Sequence, residues 1–218
     1  MSDLTDKRKN CLPFLEKDLP KQNKAKLDVD TNKRGYIIMK ALLDEGFNKE
    51  QIVGICSCLF QESTWNPTLI NTTGPQKCGG VKLNGTGAGG LCQWLPGCNG
   101  KHRQKKAVEE INEKYGTSYK VSEYNYEKNR WDNNFGAIPL ECQIWFFIYE
   151  TQNVAPYNNI YKELKSSQNA IKACEIMVVK YERPGKESIE KKEHWRHIDL
   201  SREVFERYFD DNGKPKNS

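Results

Sequence analysis

The sequence predicts a mainly α-helical chain, a single helical domain interrupted by one glycine-rich loop or short hairpin. Three observations lead there. Apolar residues recur at helical spacing along most of the chain. Glycine or proline closes several of these runs, where a helix needs a stop. Only residues 71–100 break the pattern, being rich in Gly, Thr, Asn and Pro. At 218 residues the chain suits one medium domain with tails and is long enough to bury a core.

The elements follow in order. Residues 1–30 are rich in Lys and Asp with few apolar anchors and read as a polar arm. The domain proper is expected over 31–210, with a disordered tail at 211–218. A first helix carries Ile37, Ile38, Met39, Leu42 and Leu43 and stops at Gly46. Asn48 can cap the next, with Gln51 in capping-box position, and Ile52, Ile55, Cys56, Leu59 and Phe60 then share one face. A short hairpin is expected around Val81–Leu83 inside the glycine-rich stretch. Ala107, Val108, Ile111 and Tyr115 mark a helix that Gly116 closes. Pro139 opens an aromatic helix through Leu140, Trp145, Phe146 and Tyr149. Two more helices are expected at about 157–165 and 168–181, the second ended by "ERPG", and a last one ends near Tyr208.

Composition narrows the function classes. Charged residues make up 29% and the formal net charge is +5, which favours an acidic partner: nucleic acid, a membrane surface or an anionic wall polymer. The basic residues are scattered among acids, as in "KESIEKKEH", which marks a solvated helix face and argues against nucleic acid. The most apolar run, Ile138–Tyr149, is far short of the roughly 20 residues a membrane helix needs. No signal peptide is evident at the N-terminus, so synthesis in a cytoplasm is expected. The eight cysteines include no CxxC pair. Cys78, Cys92, Cys98 and His102 are too irregularly spaced to read as a zinc site, so no metal and no cofactor is expected. Cys56, Cys142 and Cys174 fall in helical apolar patterns as core thiols, and His102, His194 and His197 read as exposed and without a role.

The segment "CLFQESTWNPTLIN" carries the first chemical signal. Glu62 sits at the C-terminal end of an apolar helix, which Pro67 forces to stop. The negative end of the helix dipole and the apolar neighbours Leu59, Phe60 and Trp65 both favour the neutral acid, as a general acid requires. The aromatic surface of Trp65 suits a sugar. Gly85, Gly87 and Gly90 formally match a dinucleotide fingerprint, but no buried strand precedes them and Pro96-Gly97 breaks any following helix. These glycines are expected to let backbone approach a ligand closely.

Together, "ESTWNP", "GAGGLCQWLPG", "CQIWFFIYE" and "YERPG", in that order between about Tyr36 and Tyr208, resemble the lytic transglycosylases and, more closely, the phage tail lysozyme family. The resemblance implies a lysozyme-like α+β fold, mainly helical, that cleaves the MurNAc–GlcNAc β-1,4 bond of peptidoglycan. It implies Glu62 as the catalytic acid, Ser63 as a holder of the motif turn, and Gln93 and Trp94 as cleft-lining residues. Trp65 and Gly90 are added as substrate contacts. The chain departs from the family pattern in the insert Thr72–Gly85, expected to widen or cap the cleft, and in Cys92.

Glycosidases of the usual kind pair two carboxylates, about 5 Å or about 6.5–9.5 Å apart. Asp132, Glu150 and Glu182 are the candidates for a second. A packed or capping role competes for Glu150, and an ion pair with Arg183 competes for Glu182. A lytic transglycosylase needs only one acid, because the sugar's own 6-hydroxyl closes a 1,6-anhydro ring. A non-catalytic glycan-binding virion component is the other alternative. The expected setting is a monomer, not inserted in a membrane, acting on the bacterial cell wall after release through a holin or as part of a virion with other virion proteins.

Overall fold

A computed structural model describes residues 27–78, 81–97, 102–183 and 186–216. Most of residues 1–30, Cys11, Cys98, Pro184 and Gly185 therefore lie outside the described residues. The chain is mainly helical with small two-stranded sheets, the fold class the sequence predicts. It clusters into two compact units, one built from residues up to Gln61 and from Thr151 onward, the other from Glu62–Glu150.

The first unit begins with helix α1 (Val29–Asp44). It starts eight residues before Ile37, the first apolar anchor read in the sequence, because Asp28 caps it through the Thr31 amide at 2.7 Å. Helix α2 (Lys49–Ser63) opens on the expected capping box. Gln51 N–H donates to Asn48 Oδ1 and Asn48 N–H to Gln51 Oε1, both at 3.0 Å. The apolar face read on α2 is buried, and the burial extends beyond it. Residues 51–60 are buried without interruption, including Val53, Ser57 and Cys58 on the other faces. Gly54 shows why: a Cβ there would stand 2.3 Å from the Ala170 carbonyl and 2.6 Å from Ala173 Cβ, so α2 is packed backbone to backbone. A hydrophobic period marks one face only when water covers the rest.

Helices α5 (Ile160–Ser166) and α6 (Ala170–Ile176) stand where two were expected, near 157–165 and 168–181. The second continues into a π turn, Met177–Glu182, which ends at Arg183 in the left-handed region. Gln51 Nε2 donates to the carbonyls of Lys165 and Ser167, satisfying the end of α5. Glu50 is paired with Arg202 and accepts from the Ala170 amide, and that guanidinium holds its carboxyl below the usual carboxylate range. Helix α7 (Lys186–Glu190), a 3-10 turn at Glu193–His197 and helix α8 (Ile198–Tyr208) complete the unit. Residues 211–216, read as part of a tail, fold back: Phe209 bridges Pro215, and Lys216 N–H donates to the Tyr208 carbonyl at 2.8 Å.

The exposed reading of His194 and His197 is also corrected: both are buried. They are three residues apart in a 3-10 turn, which places them on one face, and that face points inward. His197 Nε2 lies 2.9 Å from Gln61 Oε1, and its ring packs on Phe60. Burial, followed by the neighbouring His194 and Arg196, lowers its pKa from 6.5 to about 4. The Cys56 and Cys174 thiols are buried and pushed up by desolvation, as inert core thiols should be. Cys142 is only half-buried.

The second unit holds the irregular stretch. Strands β1 (Pro75–Cys78) and β2 (Val81–Asn84) form an antiparallel hairpin with Pro75 opposite Asn84. The described part of the insert Thr72–Gly85 therefore consists mainly of these two paired strands. A second hairpin, β3 (Glu123–Asn125) with β4 (Arg130–Asp132), was not anticipated, because its strands are three residues long and polar on their exposed sides. Helix α3 (Arg103–Tyr115) ends on Gly116 in the left-handed region, as expected. A 3-10 turn (Phe135–Ala137) leads into α4 (Leu140–Asn153), whose Pro139 carbonyl accepts from Gln143 N–H. Among the described residues no helix is long and apolar enough to cross a membrane.

Candidate active site

Helix α2 ends on Glu62 and Ser63, the first residues of the second unit. The chain then turns through Thr64 and Trp65 with φ of 52° and 58°. β-Branched and bulky residues seldom adopt that region, at a cost of about 1–3 kcal/mol each. Such a turn persists only where its surroundings impose it. Trp65 is fully buried, Asn66 N–H donates to the Ser63 carbonyl at 2.9 Å, and Asn66 Oδ1 accepts from Thr68 N–H and Oγ1. Ser63 Oγ donates to the Leu91 carbonyl at 2.8 Å, tying the helix end to the glycine-rich loop. Glu62 itself is partly exposed at this end.

The loop pairs with the strand-like segment after Pro67. Gly90 N–H donates to Leu69 and Asn71 N–H to Ala88, while Gly89 and Trp94 exchange both backbone hydrogen bonds. Gln93, partly exposed at the tip with φ 46°, donates through Nε2 to the carbonyls of Gly90 (3.1 Å) and Leu69 (3.3 Å). The glycines serve a different purpose from the one expected. A Cβ on Gly90 would stand 2.5 Å from Gln143 Oε1, and one on Gly87 2.5 Å from the Trp131 ring. They admit the protein's own side chains, and both hold positive φ, of 78° and 66°.

Two buried glutamines brace this loop, and neither role was read from the sequence. Gln143 Oε1 accepts from Leu91 N–H at 2.8 Å, and its Nε2 donates to the carbonyls of Pro67 and Ile138. Gln104 Nε2 donates to the carbonyls of Gly87 and Trp94, and its Oε1 accepts from Ser122 N–H. The one available signal was a glutamine inside the most apolar run of the chain, since a buried amide must be hydrogen-bonded.

Trp65 and Trp94 are corrected as sugar contacts, because both rings are fully buried. Trp94 packs edge-on against Phe135 and Phe146 and donates Nε1–H to Glu150 Oε2 at 3.1 Å. Gly90 and Ser63 are also buried. Glu150 is 1% exposed and takes a two-pronged ion pair from Arg103, with Nε at 3.0 Å and Nη2 at 2.9 Å. That geometry suits a structural carboxylate. Asp132 ends β4 with its side chain 40% exposed, accepting from Asn125 Nδ2 and lying 3.7 Å from Arg130 Nε. The next residue, Asn133, donates to the Thr68 carbonyl at 2.7 Å, which fastens this strand end to the segment following Glu62. Glu182 ends the π turn of the first unit. Arg183 beside it places its guanidinium over the Tyr157 ring and donates Nε–H to the Lys180 carbonyl.

No group of three His, Cys, Asp or Glu among the described residues could hold a metal ion. Of the four spaced residues weighed for zinc, Cys92 is buried, while Cys98 and the Cys78 side chain are not among those described.

The arrangement is one carboxylic acid presented at a helix end, beside a braced loop that carries an amide at its tip. A family model for phage tail lysozyme matches residues 33–207. No curated protein and no solved structure matches the chain. The match covers all four sequence elements and the whole of the second unit, so the chain belongs to the phage tail lysozyme family, with the lysozyme-like role in degrading peptidoglycan that this family implies.

Proposed function

We propose that the protein is a muramidase that cleaves the MurNAc–GlcNAc β-1,4 bond with Glu62 as general acid. The observation that carries this reading is the presentation of Glu62: partly exposed, at the end of a buried helix, on a strained turn tied through Ser63 to Leu91. A proton donor must be held in one place relative to the leaving oxygen, and a braced turn does that. Gln93, partly exposed at the loop tip, is the amide proposed to contact a sugar, whereas Ser63, Trp65, Gly90 and Trp94 shape the site from within. If a second carboxylate takes part, Asp132 is favoured. It is partly exposed, and its neighbour Asn133 is fastened to the segment that follows Glu62, while Glu150 is committed to Arg103 and Trp94.

The second reading is a lytic transglycosylase, in which Glu62 acts alone. Products of purified peptidoglycan, resolved by mass spectrometry, separate the two. Reducing ends mean hydrolysis, and Asp132→Asn then lowers kcat on the order of 10²-fold. Products lighter by one water, with 1,6-anhydro ends, mean transglycosylation, and Asp132→Asn is then nearly neutral. If neither wild type nor Glu62→Gln releases fragments from several wall types, the enzyme reading is overturned in favour of a glycan-binding virion component. The proposed setting is a phage endolysin released with a holin, or an enzyme carried in the virion. Detection of the protein in purified particles assigns the second.

A further inference from the structure

We infer that Gln143 is a positioning residue for the reaction, acting through a closed ring of hydrogen bonds that immobilises the turn behind Glu62. This rests on Glu62 being the acid. The ring is traced atom by atom. Ser63 Oγ donates to the Leu91 carbonyl at 2.8 Å. The amide of the same residue, Leu91 N–H, donates to Gln143 Oε1 at 2.8 Å. Gln143 Nε2 donates to the Pro67 carbonyl at 3.0 Å, and the chain from Pro67 back to Ser63 closes the circuit. A further bond from Nε2 to the Ile138 carbonyl at 2.9 Å anchors the amide to the start of α4.

Three features set this apart from an ordinary buried side chain. Gln143 is fully buried in an otherwise apolar helix segment, and its carbonyl accepts one of these hydrogen bonds while its amino group donates two. The ring encloses the two left-handed residues Thr64 and Trp65, whose strain would otherwise relax by unwinding the turn. The loop also reserves space for it: Gly90 takes φ 78°, and a Cβ there would collide with Gln143 Oε1. Leucine or methionine would fill the volume but leave Leu91 N–H and the Pro67 carbonyl without this partner, freeing the residue next to Glu62 to shift. A displacement of about 1 Å at a reacting group costs on the order of 10²-fold in rate.

The test compares Gln143→Met with Ile144→Ala, a cavity variant at a buried apolar residue of the same helix that makes none of these hydrogen bonds. Both are assayed well below their melting temperatures on purified peptidoglycan, beside Glu62→Gln. The expected result is a kcat lowered on the order of 10²-fold in Gln143→Met with KM within about threefold, and an Ile144→Ala kcat near wild type. Equal kcat in the two variants overturns the inference and makes Gln143 merely structural. If Gln143→Met does not fold, Ser63→Ala decides from the other side of the ring, where an unchanged kcat overturns the inference. Full activity in Glu62→Gln instead overturns the underlying assignment of the acid.

Discussion

Glu62 and Glu150 invite comparison, because the sequence presents them in the same way. Each follows a run of apolar and aromatic residues toward the end of a helix, and both belong to the second unit. The fold treats them oppositely. Glu150 is enclosed, receives both prongs of Arg103 and the Trp94 indole, and keeps α3, α4 and the loop in register. Glu62 is set on the surface side of a turn whose rigidity comes from its neighbours, Ser63 and Trp65. The lesson is that a carboxylate near a helix end is neither catalytic nor structural by position. What decides is how far the fold encloses it and what holds the residues around it.

The strongest test of the contrast is to remove each acid in turn. Glu62→Gln is expected to cut muropeptide release on the order of 10²–10⁴-fold while leaving the melting temperature within a degree or two. Glu150→Ala should do the reverse, costing about 3–5 kcal/mol in a denaturant melt by removing the buried carboxylate that Arg103 and the Trp94 indole bond, while whatever folds keeps its kcat. If Glu150→Ala proved stable and inactive, the roles drawn here would have to be exchanged.

A smaller effect tests the bracing. Gly90→Ala combines a positive-φ penalty with a Cβ pressed on Gln143 Oε1, and about 2–3 kcal/mol of stability should be lost. A change below about 0.5 kcal/mol would mean that the loop yields easily and that its glycine does not set the geometry.

Acid conditions sharpen the comparison by separating chemistry from unfolding. His197 is neutral and buried in the first unit, with its pKa lowered to about 4 from 6.5. Between those values the unfolded chain binds a proton that the folded one refuses, so stability rises with pH across this window. The His197 contribution is complete above pH 6.5 and is lost as pH falls toward 4. The melting temperature should drop over that range, and His197→Gln should flatten the slope. Loss of activity near pH 5 then belongs to the site only if it persists in that variant. A wild-type melting temperature that is level from pH 6.5 to 4 would count against the buried neutral histidine.

Much of this protein was legible residue by residue. Capping signals such as Asn48 with Gln51, stops such as Gly46 and Gly116, and the 3.6-residue period are local properties, since they depend on neighbours within one turn of helix. They led to the helical class and to the main helices. The ordered elements "ESTWNP", "GGLCQW", "CQIWFFIYE" and "YERPG" led to the family because four spaced motifs rarely coincide. Less was legible where tertiary contacts overrule local pattern. The second hairpin is too short to show alternation, and the π turn has no period to betray it. The inward face of His194 and His197 depends on a 3-10 spacing that polar neighbours conceal.

The sequence alone determined that the chain is mainly helical, that one stretch is loop, and that Glu62 ends a helix. All three follow from propensities and spacings that act over a few residues. Only the tertiary structure decided that Trp65 and Trp94 face inward, that the glycines make room for Gln143 and Trp131, and that Glu150 is spoken for by Arg103. Each of these depends on a partner distant along the chain, 56 positions away for Trp94 and Glu150. Burial and hydrogen bonding to such partners are set by packing, which no local pattern encodes.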